Sequence, residues 1–276
     1  TKPNIVVWTY SETASAPVYA AKLGDVKVEY KKRGVEDNTY TTTAPTNAGD
    51  YKVRFTVAAT DDFGGLSEVI GLNIAKANAA VAAPTAKENL VYNGSAQALI
   101  ASGSAKGGEM QYSSSKNGTY STEVITGTNA GSYEVWYKVI GDSNHNDTEP
   151  VKINVSIAKA SVDIPTVASK IYTGNRQTAE NGETELYTVS ENNGGINVGR
   201  YDVKLLLKDS ANYHWNGKAD DVSEITLDFG ITKADNEWTT KPDIVGWTYG
   251  ETANAPVYAA KFGDVKIEYK KASEGD

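Results

Sequence analysis

The 276-residue sequence predicts an all-β chain of tandem immunoglobulin-like β-sandwich repeats. Three observations carry that prediction: a long internal duplication, a short motif that recurs at domain-sized intervals, and period-two alternation of apolar and polar residues between turns. The duplication is the most direct. Thr1–Lys32 (TKPNIVVWTYSETASAPVYAAKLGDVKVEYKK) recurs as Thr240–Lys271 (TKPDIVGWTYGETANAPVYAAKFGDVKIEYKK) with 26 of 32 positions identical.

The motif is Asn-x-Gly-x-Tyr-x-Val. It stands at Asn47 to Val53, Asn129 to Val135 and Asn197 to Val203, and each copy is followed by a closing signature, Ile74-Ala75-Lys76-Ala77, Ile157-Ala158-Lys159-Ala160 and Ile231-Thr232-Lys233-Ala234. The repeats therefore run 1–77, 78–160 and 161–234, and 235–276 is an incomplete copy of the first. Inside them, Val26 to Tyr30, Tyr51 to Val57, Tyr133 to Val139 and Val151 to Val155 alternate apolar with polar residues, which reads as half-buried strands bounded by Gly, Asn and Pro turns. A helical turn over Val18 to Leu23 keeps a small β-grasp-like unit open as the minority fold. The third repeat is shorter through Glu183 to Gly195, so its sheet is expected to lack a strand or an edge hairpin. The incomplete copy stops before the equivalents of Tyr40, the Asn47 corner and the closing strand, so Val257, Val265 and Ile267 are expected to stay uncovered.

In the recurring motif, Asn and Gly tolerate the backbone of a tight corner and Tyr opens a strand. Two readings fit: a tyrosine corner, in which the hydroxyl returns to nearby backbone and Val53, Val135 and Val203 stand where an immunoglobulin domain has its second cysteine, or a plain hairpin turn feeding a central strand. Eleven and twelve residues beyond the motif tyrosine stand Asp62-Phe63, Asn144-His145 and Asn212-Tyr213, which aligns an aromatic slot across the repeats.

With Tyr10-Ser11-Glu12, Tyr92-Asn93-Gly94, Tyr172-Thr173-Gly174, Tyr249-Gly250-Glu251 and the Ala211 to Trp215 segment added to these motifs, nearly the whole chain resembles bacterial immunoglobulin-like and MBG-type repeats. Those occur in many copies in cell-surface proteins of Gram-positive and gut bacteria. The resemblance implies an extended array at the cell wall or secreted from the cell, and it implies no chemistry.

Composition points the same way. The chain has no cysteine, and Thr, Ser, Asn, Gly and Tyr are abundant, a composition that suits an extracellular protein stabilised without disulfides. A net charge of −8 argues against nucleic acid as a partner, and no apolar run is long enough for membrane insertion. The histidines, His145 and His214, have no second His or Cys at metal-ligand spacing. Asp142 to Asp147 opens like a calcium loop but has Asp147 at the glycine position and Ile153 at the bidentate position, so no metal is expected. Neighbouring pairs such as Asp61-Asp62 and Asp220-Asp221 point to opposite faces of a strand and do not converge on one substrate atom. Nucleophile-elbow and phosphate-loop motifs are absent, and no Lys and Asn pair stands out for an isopeptide bond. No catalytic, metal or cofactor residue is therefore assigned. The function expected is a monomeric, non-catalytic stalk or spacer. The alternative is an adhesin or carbohydrate-binding module that uses exposed Trp or Tyr, with a host protein or glycan as partner; Trp8, Trp247, Tyr10 and Tyr249 recur and point to packing, whereas Trp238 stands in a linker.

Overall fold

A computed structural model describes residues 1–273, so the last three positions of the incomplete copy lie outside the described residues. The first repeat contributes β1 (Trp8–Thr9), β2 (Lys27–Lys32), β3 (Gly49–Val57) and β4 (Leu66–Ala75). The second contributes β5 (Leu90–Val91), β6 (Gly108–Ser113), β7 (Gly131–Gly141) and β8 (Val151–Ala158). The third contributes β9 (Lys170–Ile171), β10 (Tyr187–Asn192), β11 (Gly199–Leu207) and β12 (Glu224–Thr232). Each set forms one four-stranded sheet in the order first, fourth, third, second, with the first pair parallel and the others antiparallel. The antiparallel part is the C–F–G ladder of an immunoglobulin-type sandwich.

Each central strand buries alternate residues. Val53, Val135 and Val203 are fully buried, and Phe55, Val139 and Leu205 continue the inward rows. In the second repeat the opposite layer is made of short antiparallel pairs, Ala80–Ala82 with Ser104–Lys106, Thr85–Ala86 with Ile100–Ala101, and Gln97–Ala98 with Thr126–Gly127. Leu99 and Ile100 from that layer close the core against Val135, Val155 and Ile157. The other two cores, around Trp8, Phe55 and Ile74 and around Trp215, Phe229 and Leu205, share no residue with it or with each other. By spatial clustering, the chain divides into one unit of residues 1–160 and another beginning at Ser161.

The tyrosine corner is present in all three repeats: the Tyr51, Tyr133 and Tyr201 hydroxyls donate to the Asn47, Asn129 and Asn197 carbonyls at 3.0, 2.6 and 2.7 Å. The hydroxyl closes the corner while the valine two residues on fills the core. Gly49 and Gly131 inside the motif take φ of 144° and 145°, a conformation in which a side chain would be strained.

Two expectations are corrected. Val18 to Leu23 forms no helix, because Val18 bridges Asn4 in the antiparallel sense, and the grasp-like alternative falls with it. The third repeat keeps its fourth strand: β10 pairs with β11 across a register shift between Val189 and Glu191, so the shortened segment is taken out of the loops and not out of the sheet. In the incomplete copy, β13 (Trp238–Asp243) pairs with β14 (Val257–Ala260), and 265–271 adopts no strand. Val257 and Ile267 are exposed, and Val265 is half-buried.

Candidate functional site: the junction of the first two repeats

Of the residues singled out in the sequence, Tyr10, Asn47, Asp142, Asn144 and His145 meet at one place, where the loop after β7 meets the corner before β3. The loop is fixed locally first. Asp142 Oδ1 accepts from the Asn144 backbone amide at 2.8 Å and lies 2.7 Å from His145 Nδ1, while Asp147 Oδ1 accepts from the Gly141 amide at 2.8 Å. An aspartate capping its own turn in this way fixes the direction of the two residues that follow. Asn144 and His145 therefore project toward the first repeat.

Asn144 holds the corner with both ends of its side chain. Its Oδ1 accepts from the Ala48 amide at 2.9 Å, and its Nδ2 donates to Asn47 Oδ1 at 3.2 Å. The His145 ring meets Tyr10 edge to face, with centroids 5.2 Å apart. The closing strand of the first repeat completes the grip. Lys76 Nζ donates to the Asp142 and His145 carbonyls, both at 3.2 Å, and Ala77–Asn78 pairs in parallel with His145–Asn146. The Asn146 side chain returns to the Lys76 carbonyl and to Asn78 Oδ1. Gly107 makes room for the histidine, since a Cβ there would lie 2.5 Å from the ring. The hydrogen bond from His145, and after it the one from the Asn144 amide, hold the Asp142 carboxyl below the usual aspartate range.

The carboxylates of the suspected calcium loop are thus engaged within the loop, and among the described residues no cluster of His, Cys, Asp or Glu is arranged to hold a metal. His214 lies apart, with Nε2 2.9 Å from Ser161 Oγ and Nδ1 3.4 Å from Asp220. Asp61 and Asp62 are exposed on the loop after β3, and Asp220 and Asp221 are exposed in a turn. Trp8 is core, Trp215 is fully buried, and Trp238, Trp247 and Tyr249 are exposed. Lys31, one of the buried charged residues, donates to the Val35 carbonyl at 2.7 Å and ion-pairs with Asp37, whose carboxyl that bond holds low.

Sequence reasoning placed His145 in an aromatic slot but gave no sign that Asn47, Asn144 and Lys76 act together. The asparagine pair is separated by 97 residues, and only the recurrence of Asn in the corner motif hinted at it.

No family model matches this chain, and no curated protein matches it. Among solved structures, it is similar to Drosophila N-cadherin EC1-4 at 12% identity, covering 84% of this chain and 72% of that one with a TM-score of 0.27. A Bacteroides ovatus protein, SGBP-B of the mixed-linkage glucan utilization locus in complex with a mixed-linkage heptasaccharide, matches at 11% identity over 90% of this chain and 72% of that one, with a TM-score of 0.18. Likenesses this distant carry nothing about function.

Proposed function

We propose that the chain is a non-catalytic spacer of a bacterial surface or secreted protein, in which neighbouring repeats are locked to one another. The observation that supports this is the bidentate grip of Asn144 on the Asn47–Ala48 corner, backed by Lys76 and by the parallel pairing of Ala77–Asn78 with His145–Asn146. Two sandwiches joined by a short linker would otherwise hinge. Hydrogen bonds on both sides of the linker remove that freedom at little cost in chain entropy, because the linker already holds the partners close. In this reading the spacer acts as a monomer outside the cell, consistent with its cysteine-free, Thr- and Asn-rich composition.

The absence of cysteine makes a direct test simple. Spin labels at Ser67→Cys and Ser156→Cys, both exposed, report the distance between the first two repeats. A narrow distance distribution that broadens in Asn144→Ala is the expected result; a broad distribution in the unaltered chain would overturn the proposal.

The adhesin reading needs exposed aromatics, among which are Trp238, Trp247 and Tyr249 of the incomplete copy, whereas Trp136 on the sheet of the second repeat is half-buried. Lys116 and Lys152 lie 6.0 and 5.8 Å from its ring centroid, so cations already occupy the faces on which a sugar would stack. Spacer is the better-supported function.

A further inference from the structure

The loop by which the second repeat grips the first has a counterpart on the first repeat itself. In Thr60–Phe63 the Asp62 amide donates to Thr60 Oγ1 at 3.2 Å, as the Asn144 amide donates to Asp142 Oδ1. The Thr60 amide closes the turn on the Phe63 carbonyl at 3.0 Å. Phe63 lies over Gly24, where a Cβ would come 3.0 Å from its ring, as His145 lies over Gly107. Both glycines have positive φ, 75° and 91°. Asp61 and Asp62 are exposed at the tip.

The receiving surface has a counterpart too, on the third repeat. Asn197 holds the Tyr201 hydroxyl as Asn47 holds that of Tyr51. The Tyr172 amide donates to Thr232 at 2.9 Å as the Tyr10 amide donates to Ala75 at 2.8 Å, and Lys233 follows Thr232 as Lys76 follows Ala75. Asn197, Val198 and Lys233 are exposed.

The order of the repeats joins these two surfaces. The segment that follows the third repeat is a copy of the first, and Phe262, the counterpart of Leu23 beside the same turn glycine, meets Tyr172 edge to face at 5.3 Å. His145 meets Tyr10 in the same manner at 5.2 Å. The copy of the first repeat therefore faces the tyrosine of the third as the second repeat faces that of the first.

We propose that the Thr60–Phe63 loop is a docking element for the Tyr172–Asn197–Lys233 corner of the third repeat in a second copy of residues 1–239 joined ahead of it, so that the three repeats form the period of a head-to-tail array. This rests on the spacer reading and extends it to the partner. Asp62 in place of Asn144 keeps the acceptor for the corner amide, here that of Val198, and accepts a hydrogen bond from the Asn197 side-chain amide where Asn144 donates one to Asn47. Placed as Lys76 is, Lys233 would reach the Thr60 and Phe63 carbonyls and lie beside Asp61 and Asp62, where the first junction has the neutral Ser143 and Asn144, so the lysine is flanked by carboxylates and this junction weakens with salt. Free ends would meet only weakly, whereas covalent linkage raises the local concentration to about the millimolar range. The partner is therefore a copy in tandem and not a freely diffusing one.

The test is a fusion of residues 1–239 to a second 1–239, with Val198→Cys in the leading copy and Asp61→Cys in the trailing one, treated with a short bismaleimide. Ala48→Cys with Ser143→Cys in the same fusion is the reference for the junction already seen. Both pairs are expected to cross-link at comparable rates, and Lys233→Glu to slow the first pair several-fold without touching the reference. Cross-linking of the reference pair alone would overturn this proposal and leave the spacer reading standing. Failure of both pairs, with amide exchange showing the repeats folded, would sink the two together.

Discussion

The tyrosine corner of the third repeat offers a graded perturbation. In Tyr201→Phe the ring stays, and only the 2.7 Å bond to the Asn197 carbonyl is lost. That carbonyl is near the surface and can turn to water, so the cost is that of one ordinary hydrogen bond, about 1 kcal/mol. Tyr201→Ala also removes the ring, whose centroid lies 6.5 Å from that of the buried Phe229 and which covers Gly195 so closely that a Cβ there would fall 1.9 Å from Cζ. Truncating an aromatic at such a site costs about 3–4 kcal/mol, at the lower end for aromatics because Tyr201 is only half-buried. Amide exchange in the intact chain separates the repeats, read at Val203 for the third and at Val53 and Val135 for the others. Protection at Val203 should fall about fivefold in the Phe variant and roughly a hundred- to a thousandfold in the Ala variant, since each 1.4 kcal/mol is a factor of ten. Val53 and Val135 should be unchanged, because the three cores share no residue. A Phe variant as damaged as the Ala variant, or one with no loss at all, would refute the corner argument. Equal losses in all repeats would refute the separateness of the cores.

Gly195→Ala and Gly127→Ala should each destabilise their own repeat by about 1–3 kcal/mol, since the new methyl meets the ring of Tyr201 or Tyr133, while Gly182→Ala, with nothing within 4 Å, should change exchange rates little. The junction should also respond to acid. Asp142 has a lowered pKa when folded, so its contribution is complete above the unfolded value of about 4 and is lost as pH falls through the lower folded value. The spin-label distribution between the first two repeats should accordingly broaden only in strong acid, and Asp142→Asn should abolish that pH step; a step that persists in Asp142→Asn would refute the assignment. Finally, amides of 265–271 should exchange far faster than those of Lys27–Lys32, and appending a copy of residues 33–76 after Lys271 should raise them to the same protection. If the appended copy leaves them unprotected, the strand is not made by its partner.

Much of the fold was legible because its signals are local. Alternation within β3, β7 and β11 needs only neighbouring residues, and the corner joins a tyrosine to the asparagine four positions before it. The junction was not legible for the opposite reason. Asn47 and Asn144 carry no pattern that marks them as partners, and nothing in the sequence sets Gly107 beneath the His145 ring. The loop over residues 33–41 was equally hidden: it lays Tyr40 over Arg54, 3.9 Å from the ring centroid, and buries Lys31 on what the alternation marks as a solvent face.

The duplicated segments show how far a local signal reaches. Lys27–Lys32 and Lys266–Lys271 differ in sequence only by Val28 against Ile267, a change that does not lower strand propensity. The first is a six-residue strand paired along its length with β3, and the second is no strand. Tyr30 is 7% exposed and Tyr269 70%; Trp8 is 7% exposed and Trp247 45%. Propensity and alternation are thus the same in both copies, and what differs is the presence of β3 and β4, which supply the hydrogen-bond partners and the apolar face. A period-two segment in this chain states which residues would face a core, and the Asn-x-Gly-x-Tyr-x-Val strand determines whether there is one. That dependence explains why the motif recurs once in each complete sandwich: the strand it opens lies between β2 and β4, or their counterparts, and the sheet cannot form without it.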